Sequence, residues 1–332
     1  MPTNTFRTTF KGVRGSIPTP ILPHQIEEKL LKAMELMKPK DLDNSESRKN
    51  FIQSLPLNIK GCYGGNSSCV LVEVGGHNLV FDAGTGLRVL GLDWLEKEFG
   101  KGEGEAHIFI SHTHWDHIMG IPFFNPFFIP GNKFTIYGAH DDLAGRLEYQ
   151  QEADHFPVSF DIFEADINIV QLEKSQSLEL DDVKITWKLN YHPGDSFSFR
   201  VDYKGKSIIY ATDAEYKDFG RGQFKEEVKF FKDADMLIFD SQYSFVEGFE
   251  EKKDWGHSST IIGADIALEA NVKKLAFYHH EPTYDDFKLS KILKETQEYV
   301  NEVEPDNNLE MFFANEGLVL DFLDPQNSIV SE

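Results

Sequence analysis

Short runs of β-branched and aromatic residues alternate with stretches whose apolar positions recur at helical spacing. The runs CVLVEV (69–74) and NLVFD (78–82) read as strands, and Gly75-Gly76 between them makes a hairpin. Further strands are expected at AHIFIS (106–111), KFTIY (133–137), VKITWKL (183–189), SFSFRVDY (196–203) and KSIIYA (206–211), the last two joined by a tight Lys204-Gly205 turn. DMLIFD (235–240), KLAFY (274–278) and, near the end, LEMFF and GLVLDF complete the set. Helical stripes are formed by Ile26, Leu30, Leu31, Met34 and Met37, and by Leu87, Leu90, Trp94 and Leu95. Ser258 and Ser259 read as an N-cap for a helix through Ile262, Ile266 and Ala270. Phe287, Ile292, Leu293, Tyr299 and Val300 lie on a last long helix. The stretch from about 20 to 60 stands apart as charged and helical. It reads as a surface insertion, or as a lid or dimer contact beside a site.

Charge narrows the function classes. Fifty-five acidic residues face 33 basic ones, a net charge of −22. Broad electrostatic binding to a nucleic-acid backbone is disfavoured by that balance, although a local phosphate site built around cations is not. The two cysteines, Cys62 and Cys69, make no disulfide framework and are expected as free buried thiols. The N-terminal stretch MPTNTFRTTFKGVRG has no apolar core of the signal-peptide kind. The most apolar run, IMGIPFFNPFFIP, carries three prolines and falls short of the ~20 residues a membrane span needs. A cytoplasmic protein with no membrane contact is expected.

Chemistry concentrates in FISHTHWDHIMG, where a strand is followed by His112, His114, Asp116 and His117, with Trp115 between them expected to pack. Neutral imidazoles and a carboxylate on one loop suit Zn²⁺, Mn²⁺ or Fe. Three later strand runs lead into NYHPGDS, ATDAEY and FYHHEP.

HTHWDH resembles the H-x-H-x-D-H signature of the metallo-β-lactamase fold, and the later motifs recur in that family's order over nearly the whole chain. The resemblance implies an α/β fold, a four-layer αββα sandwich, as a single domain over residues 1–332 with a helical insertion at about 20–60. It implies two divalent metal ions, with Zn first and Mn or Fe as alternatives. His112, His114 and His192 would hold one ion, Asp116, His117 and His279 the other, and Asp213 would bridge them. The family places its last ligand directly after the strand, which favours His279 over its neighbour His280. Asp240 in LIFDSQ and His257 in WGHSST resemble the carboxylate and histidine of the ribonuclease Z and cyclic-phosphodiesterase branch. There the carboxylate orients an imidazolium that donates a proton to the leaving oxygen, so His257 and Asp240 are expected, with Asp116, to be catalytic. GVRGSIP (12–18) and YGGNSSCV (63–70) look most like bacterial cyclic-nucleotide phosphodiesterases. Asn66, Ser67, Ser68 and His280 are the expected substrate contacts, and Asp82 the expected partner of a ligand histidine.

The resulting expectation is a metal-dependent phosphodiesterase that cleaves a cyclic nucleotide or similar small cyclic phosphate by metal-bridged hydroxide attack, with His257 as general acid. The alternatives are a tRNA 3′-processing endoribonuclease, disfavoured by the acidity and the lack of a basic arm, and a glyoxalase II-like thioesterase or lactonase, which needs no such proton donor. The partner expected is a small phosphodiester substrate, with long nucleic acid unfavoured, and the resemblance implies a homodimer.

Overall fold

The strand runs pair into two sheets, each of seven strands among the described residues. The structure, a computed structural model, describes residues 4–173, 177–216, 224–244 and 255–328. In chain order the strands are β1 (Phe6–Gly12), β2 (Cys69–Val74), β3 (His77–Phe81), β4 (Glu105–Ile110), β5 (Lys133–Gly138), β6 (Asp166–Gln171), β7 (Ser177–Leu180), β8 (Val183–Asn190), β9 (Ser196–Tyr203), β10 (Lys206–Ala211), β11 (Met236–Asp240), β12 (Lys274–Tyr278), β13 (Glu310–Phe313) and β14 (Val319–Asp321). The first sheet runs β14-β1-β2-β3-β4-β5-β6 and the second β13-β12-β11-β10-β9-β8-β7. Strands β3 to β6 are parallel, as are β10 to β13. The central parallel strands are almost wholly buried, which explains their unbroken apolar runs.

The inner faces meet in one core containing Phe6, Phe10, Phe81 and Phe109 from the first sheet and Trp187, Phe199, Tyr210 and Tyr278 from the second. Two further cores cover the outer faces. One packs the first sheet against α4 (Thr85–Leu95) and the aromatic segment Phe124–Phe127. The other packs the second sheet against α7 (Lys225–Phe231), α8 (Thr260–Glu269) and α9 (Asp286–Val303). The result is the expected αββα sandwich. Segment 20–60 is helical, with α1 (Pro23–Leu36), α2 (Ser45–Ser54) and α3 (Leu57–Lys60). Between α4 and α7 lie the one-turn α5 (Trp115–Ile118) and α6 (Leu143–Gln150).

Four features differ from the sequence reading. β1, β6 and β7 carry weak strand signals: β1 buries Thr8 and Thr9 inside a sheet, and the other two are half-buried outer strands. The α1 stripe is not core: Ile26, Leu30, Leu31 and Met34 are exposed. The helix is anchored by its polar side instead, where buried Lys29 bonds Asp286 at 2.6 Å and the Asn58 and Gly61 carbonyls at 2.6 and 2.9 Å. Cys69 is buried as expected, but Cys62 is exposed; both are free. Trp115, expected to pack, is 78% exposed. No helix among the described residues is long and apolar enough to cross a membrane.

Phe199 lies between Phe81 and Phe109, its ring centroid 5.7 and 5.5 Å from theirs, where the two sheets meet. Phe199→Ala is expected to destabilise the protein by ~3–5 kcal/mol. Urea unfolding followed by circular dichroism checks this, and a loss below about 1 kcal/mol would show that the inter-sheet core is not close-packed there.

Candidate metal centre

Strands β10, β11 and β12 run parallel, with Ala211 opposite Phe239 and Asp240 opposite Tyr278, so their C-terminal ends lie at one edge of the sheet. Asp213, Asp240 and His279 emerge there side by side. Two antiparallel steps away, β8 points the same way and delivers His192. In the first sheet β3 and β4 are parallel and deliver Asp82 and the turn 111–117. Asp82, Asp213 and His279 adopt left-handed φ values of 60°, 46° and 60° as their strands end. Asp and His tolerate this region better than bulky or β-branched residues do.

Three groups of donors converge, and the third, Asp213, Asp240, His257 and His279, shares Asp213 with the first and His279 with the second. In the first, His112 Nε2 and His192 Nε2 lie 2.9 and 3.1 Å from His114 Nδ1, and Asp213 Oδ2 lies 3.6 and 3.9 Å from the same two Nε2 atoms. In the second, Asp116 Oδ2 is 3.2 Å from His117 Nε2 and 3.0 Å from His279 Nε2. Asp213 Oδ1 is 3.2 and 3.3 Å from those same nitrogens. Asp213 thus offers one oxygen to each of these two groups. Donors ~2.0–2.2 Å from a shared ion stand roughly 3.3–3.6 Å apart in a tetrahedron, near the spacing seen. The donor chemistry and spacing fit divalent metal ions.

Protonation of the first group's histidines fits as well. Burial, reinforced by neighbouring imidazoles, pushes His112 well below the ordinary imidazole value and lowers His114. His192 is lowered by burial despite Asp213. These three are therefore neutral, as ligands must be. Burial opposes charge on His117 too, but Asp116, Asp213 and Asp82 raise it well above that value. Burial would raise Asp116 and Asp213, yet the facing histidines, His117 above all, hold both well below the usual carboxylate range.

Each ring is oriented from behind. His117 Nδ1 donates to Asp82 Oδ2 at 2.7 Å, bearing out the expectation for Asp82. His192 Nδ1 donates to the Gly256 carbonyl at 2.9 Å. At Gly256 φ is +86°, and a Cβ there would sit 2.1 Å from that nitrogen, so only glycine fits. Ser111 Oγ accepts from His112 Nδ1 at 3.0 Å, and Gln242 Oε1 accepts from His279 Nδ1 at 3.0 Å. Beside the second group, His257 Nδ1 donates to Asp240 Oδ2 at 2.9 Å and lies 3.9 Å from Asp213 Oδ2. Burial disfavours the cation, but Asp240 overrides it and raises His257 to about 9.

The expected substrate contacts do not face this centre. His280 is fully buried, its Nε2 donates to the Ala314 carbonyl at 2.7 Å, and burial lowers it to about 3. Asn66 spends its amide on Glu316 at 2.9 Å. Ser67 exchanges hydrogen bonds with Thr85 at the start of α4, both at 2.9 Å. Ser68 is fully buried. These residues build the fold beneath the site. The sequence reading also overlooked Gln242 and Gly256, whose roles depend on contacts between distant segments.

A family model described as "Beta-lactamase superfamily domain" matches residues 77–280, and the chain belongs to that superfamily. It is a hydrolase of the metallo-β-lactamase type. Among curated proteins it is 26% identical over 282 residues to Ribonuclease Z of Picrophilus torridus, covering 70% of this chain and 85% of the relative. It is 29% identical to Ribonuclease Z of Prochlorococcus marinus subsp. pastoris, covering 66% and 84%. The metallo-β-lactamase fold protein YhfI from Bacillus subtilis superposes with a TM-score of 0.62 over 96% of this chain and 99% of that one, at 17% identity.

Because Asp213 faces the first and second donor groups alike, Asp213→Ala should lose most of the bound metal, not half. Metal analysis after gel filtration checks this, and full occupancy in the variant would remove the bridging assignment.

Proposed function

We propose that this chain is a dinuclear metal-dependent phosphodiesterase that hydrolyses a cyclic nucleotide or a similar small cyclic phosphate. The observation that carries the reading is the Asp240–His257 pair set against the metal-ligand cluster. His112, His114 and His192 would hold one ion, Asp116, His117 and His279 the second, and Asp213 both. Zn²⁺ suits this set of five imidazole and two carboxylate ligands, and Mn²⁺ or Fe could replace it. When bound, such ions neutralise phosphate charge and bring the pKa of a bound water toward ~7. His257 keeps its Nδ1 on Asp240, so its Nε2 is the proton donor for the leaving alkoxide. That proton is present at neutral pH, since Asp240 raises the imidazole to about 9. The His257 ring stacks on that of His279, 5.0 Å between centroids, which holds it against the centre.

The Ribonuclease Z relatives support a second reading, cleavage of RNA near a 3′ end. The net charge of −22 supports the smaller substrate. A thioesterase would have less use for His257, because a metal-stabilised thiolate departs without a proton. A hydrolysis panel separates these: cAMP, cGMP, bis(p-nitrophenyl) phosphate, pre-tRNA and a thioester, each with Zn²⁺ or Mn²⁺. Turnover of a cyclic nucleotide above the rest is expected. Efficient, specific cleavage of pre-tRNA would replace the leading reading with the second.

Acid catalysis has its own signature. His257→Ala should keep its metal and lose ~10²–10⁴-fold in kcat on a ribose-leaving cyclic nucleotide, but far less on a p-nitrophenyl ester, whose leaving group needs no proton. In the intact enzyme, kcat on the cyclic nucleotide should fall as pH rises through about 9, where His257 loses its proton. Asp240→Asn should move that limb to lower pH. Equal losses on both substrates, or loss of metal in His257→Ala, would make His257 a ligand instead.

A further inference from the structure

The GVRGSIP loop that follows β1 has no part in the chemistry above, yet it lies directly on the second donor group. A Cβ at Gly15 would sit 2.4 Å from His279 Nδ1, so the loop backbone is packed against that ring. The next residue, Ser16, has a left-handed φ of 60°, and its amide donates to Asp116 Oδ2 at 2.7 Å. Arg14 pins the loop, donating from a buried side chain to the Gly64 and Tyr284 carbonyls, both at 2.9 Å.

Gln242 joins this loop to His279. Its Oε1 faces His279 Nδ1 at 3.0 Å, and its Nε2 donates to Ser16 Oγ at 3.1 Å and to Glu281 Oε2 at 2.9 Å. The carboxylate of Glu281 fixes which way the amide points, because a flipped amide would set oxygen against oxygen. An amide oxygen only accepts, so His279 must carry its hydrogen on Nδ1. Whenever His279 serves as a neutral ligand, its lone pair is then on Nε2, the nitrogen that faces Asp116 and His117. Gln242 is two residues past Asp240, and its own backbone N–H donates to Asp240 Oδ1 at 3.1 Å. One strand end therefore positions both His257 and His279.

Building on the dinuclear reading above, we propose that Gln242 is a positioning residue for one metal only, the one held by Asp116, His117 and His279. It sets the His279 tautomer directly and, through Ser16, the orientation of Asp116. The amide-to-carboxylate pairing with Glu281 permits an exchange test, since Gln242→Glu alone would set two carboxylates face to face, whereas Gln242→Glu with Glu281→Gln restores one donor and one acceptor.

The experiment titrates metal-free protein with Zn²⁺ against a chromophoric chelator and reads the histidine tautomers by ¹⁵N NMR. In the zinc-loaded parent protein His279 should carry its hydrogen on Nδ1. Gln242→Met should weaken one of two binding events by ~10–100-fold, the usual reach of a group behind a ligand, and leave the other in place. Gln242→Glu should weaken the same event, and the double exchange should recover it. Equal affinities in Gln242→Met and the parent, or a His279 Nε2–H tautomer in the zinc-loaded parent, would overturn the inference while leaving the dinuclear reading intact. A parent protein that binds one ion or none would overturn the dinuclear reading itself. Should Gln242→Met fail to fold, the comparison of Gln242→Glu with the double exchange decides, and no recovery in the latter overturns the inference.

Discussion

A single buried carboxylate ties the two halves of this protein together. Asp82 leaves the end of β3 with no exposed surface and accepts four hydrogen bonds, from the Ser111 amide, the Ser111 hydroxyl, His117 Nδ1 and the Tyr210 hydroxyl, all at 2.7 Å. Tyr210 belongs to the second sheet, and the other donors to the loop beyond the first. A buried charge with fewer partners would cost several kcal/mol. With four donors the same charge fixes how far apart the sheets stand at the site, and where the HTHWDH turn begins. The phenol shows the other side of this contact: burial and Asp82 push Tyr210 well above the ordinary phenol value, so it stays a donor.

The centre built on that anchor is dense in groups that repel one another once their partners are removed. Asp116, Asp213 and Asp240 lie within a few ångströms of each other's histidine partners, and burial keeps the three histidines of the first donor group neutral. Cations compensate such a cluster better than water can, because each ion meets several lone pairs at once. The protein thus spends conformational freedom and charge on a site whose stability is linked to occupancy.

Much of this was legible in the sequence. Three histidines and an aspartate within six positions after an apolar run suit a metal ion and little else; His192, Asp213 and His279 each follow a recognisable strand, and Asp240 ends one. The strands were legible because parallel, doubly covered strands are apolar throughout, and the four-layer fold came from the resemblance carried by HTHWDH and the later motifs. What escaped depends on tertiary context. β1 is a central strand with threonines at buried positions, and only its neighbours make it one. The α1 stripe has the period of a core helix, yet Lys29 and Asp286 turn the other face inward. Asn66, Ser67 and His280 are polar residues near a phosphate-like motif, but Glu316, Thr85 and Ala314 claim them first. Gln242 and Ser16 are 226 positions apart, and no local pattern links them.

The pairing of β1 with β14 has a consequence for biosynthesis. Arg7 stands opposite Asp321 in the ladder and bonds its carboxylate at 3.3 Å across 314 positions of chain. During synthesis β1 is made 314 positions before its partner β14, counted from Arg7 to Asp321. Until then the strand has an open edge, and the loop it carries toward His279 is held from one side only. Such non-local closure is slow, because chain entropy is lost before the contacts return it. A ribosome-bound chain that already contains every metal ligand would therefore still lack a finished first sheet. Full assembly of the centre waits on the synthesis of β14, which delays the moment when a nascent chain can act as a hydrolase.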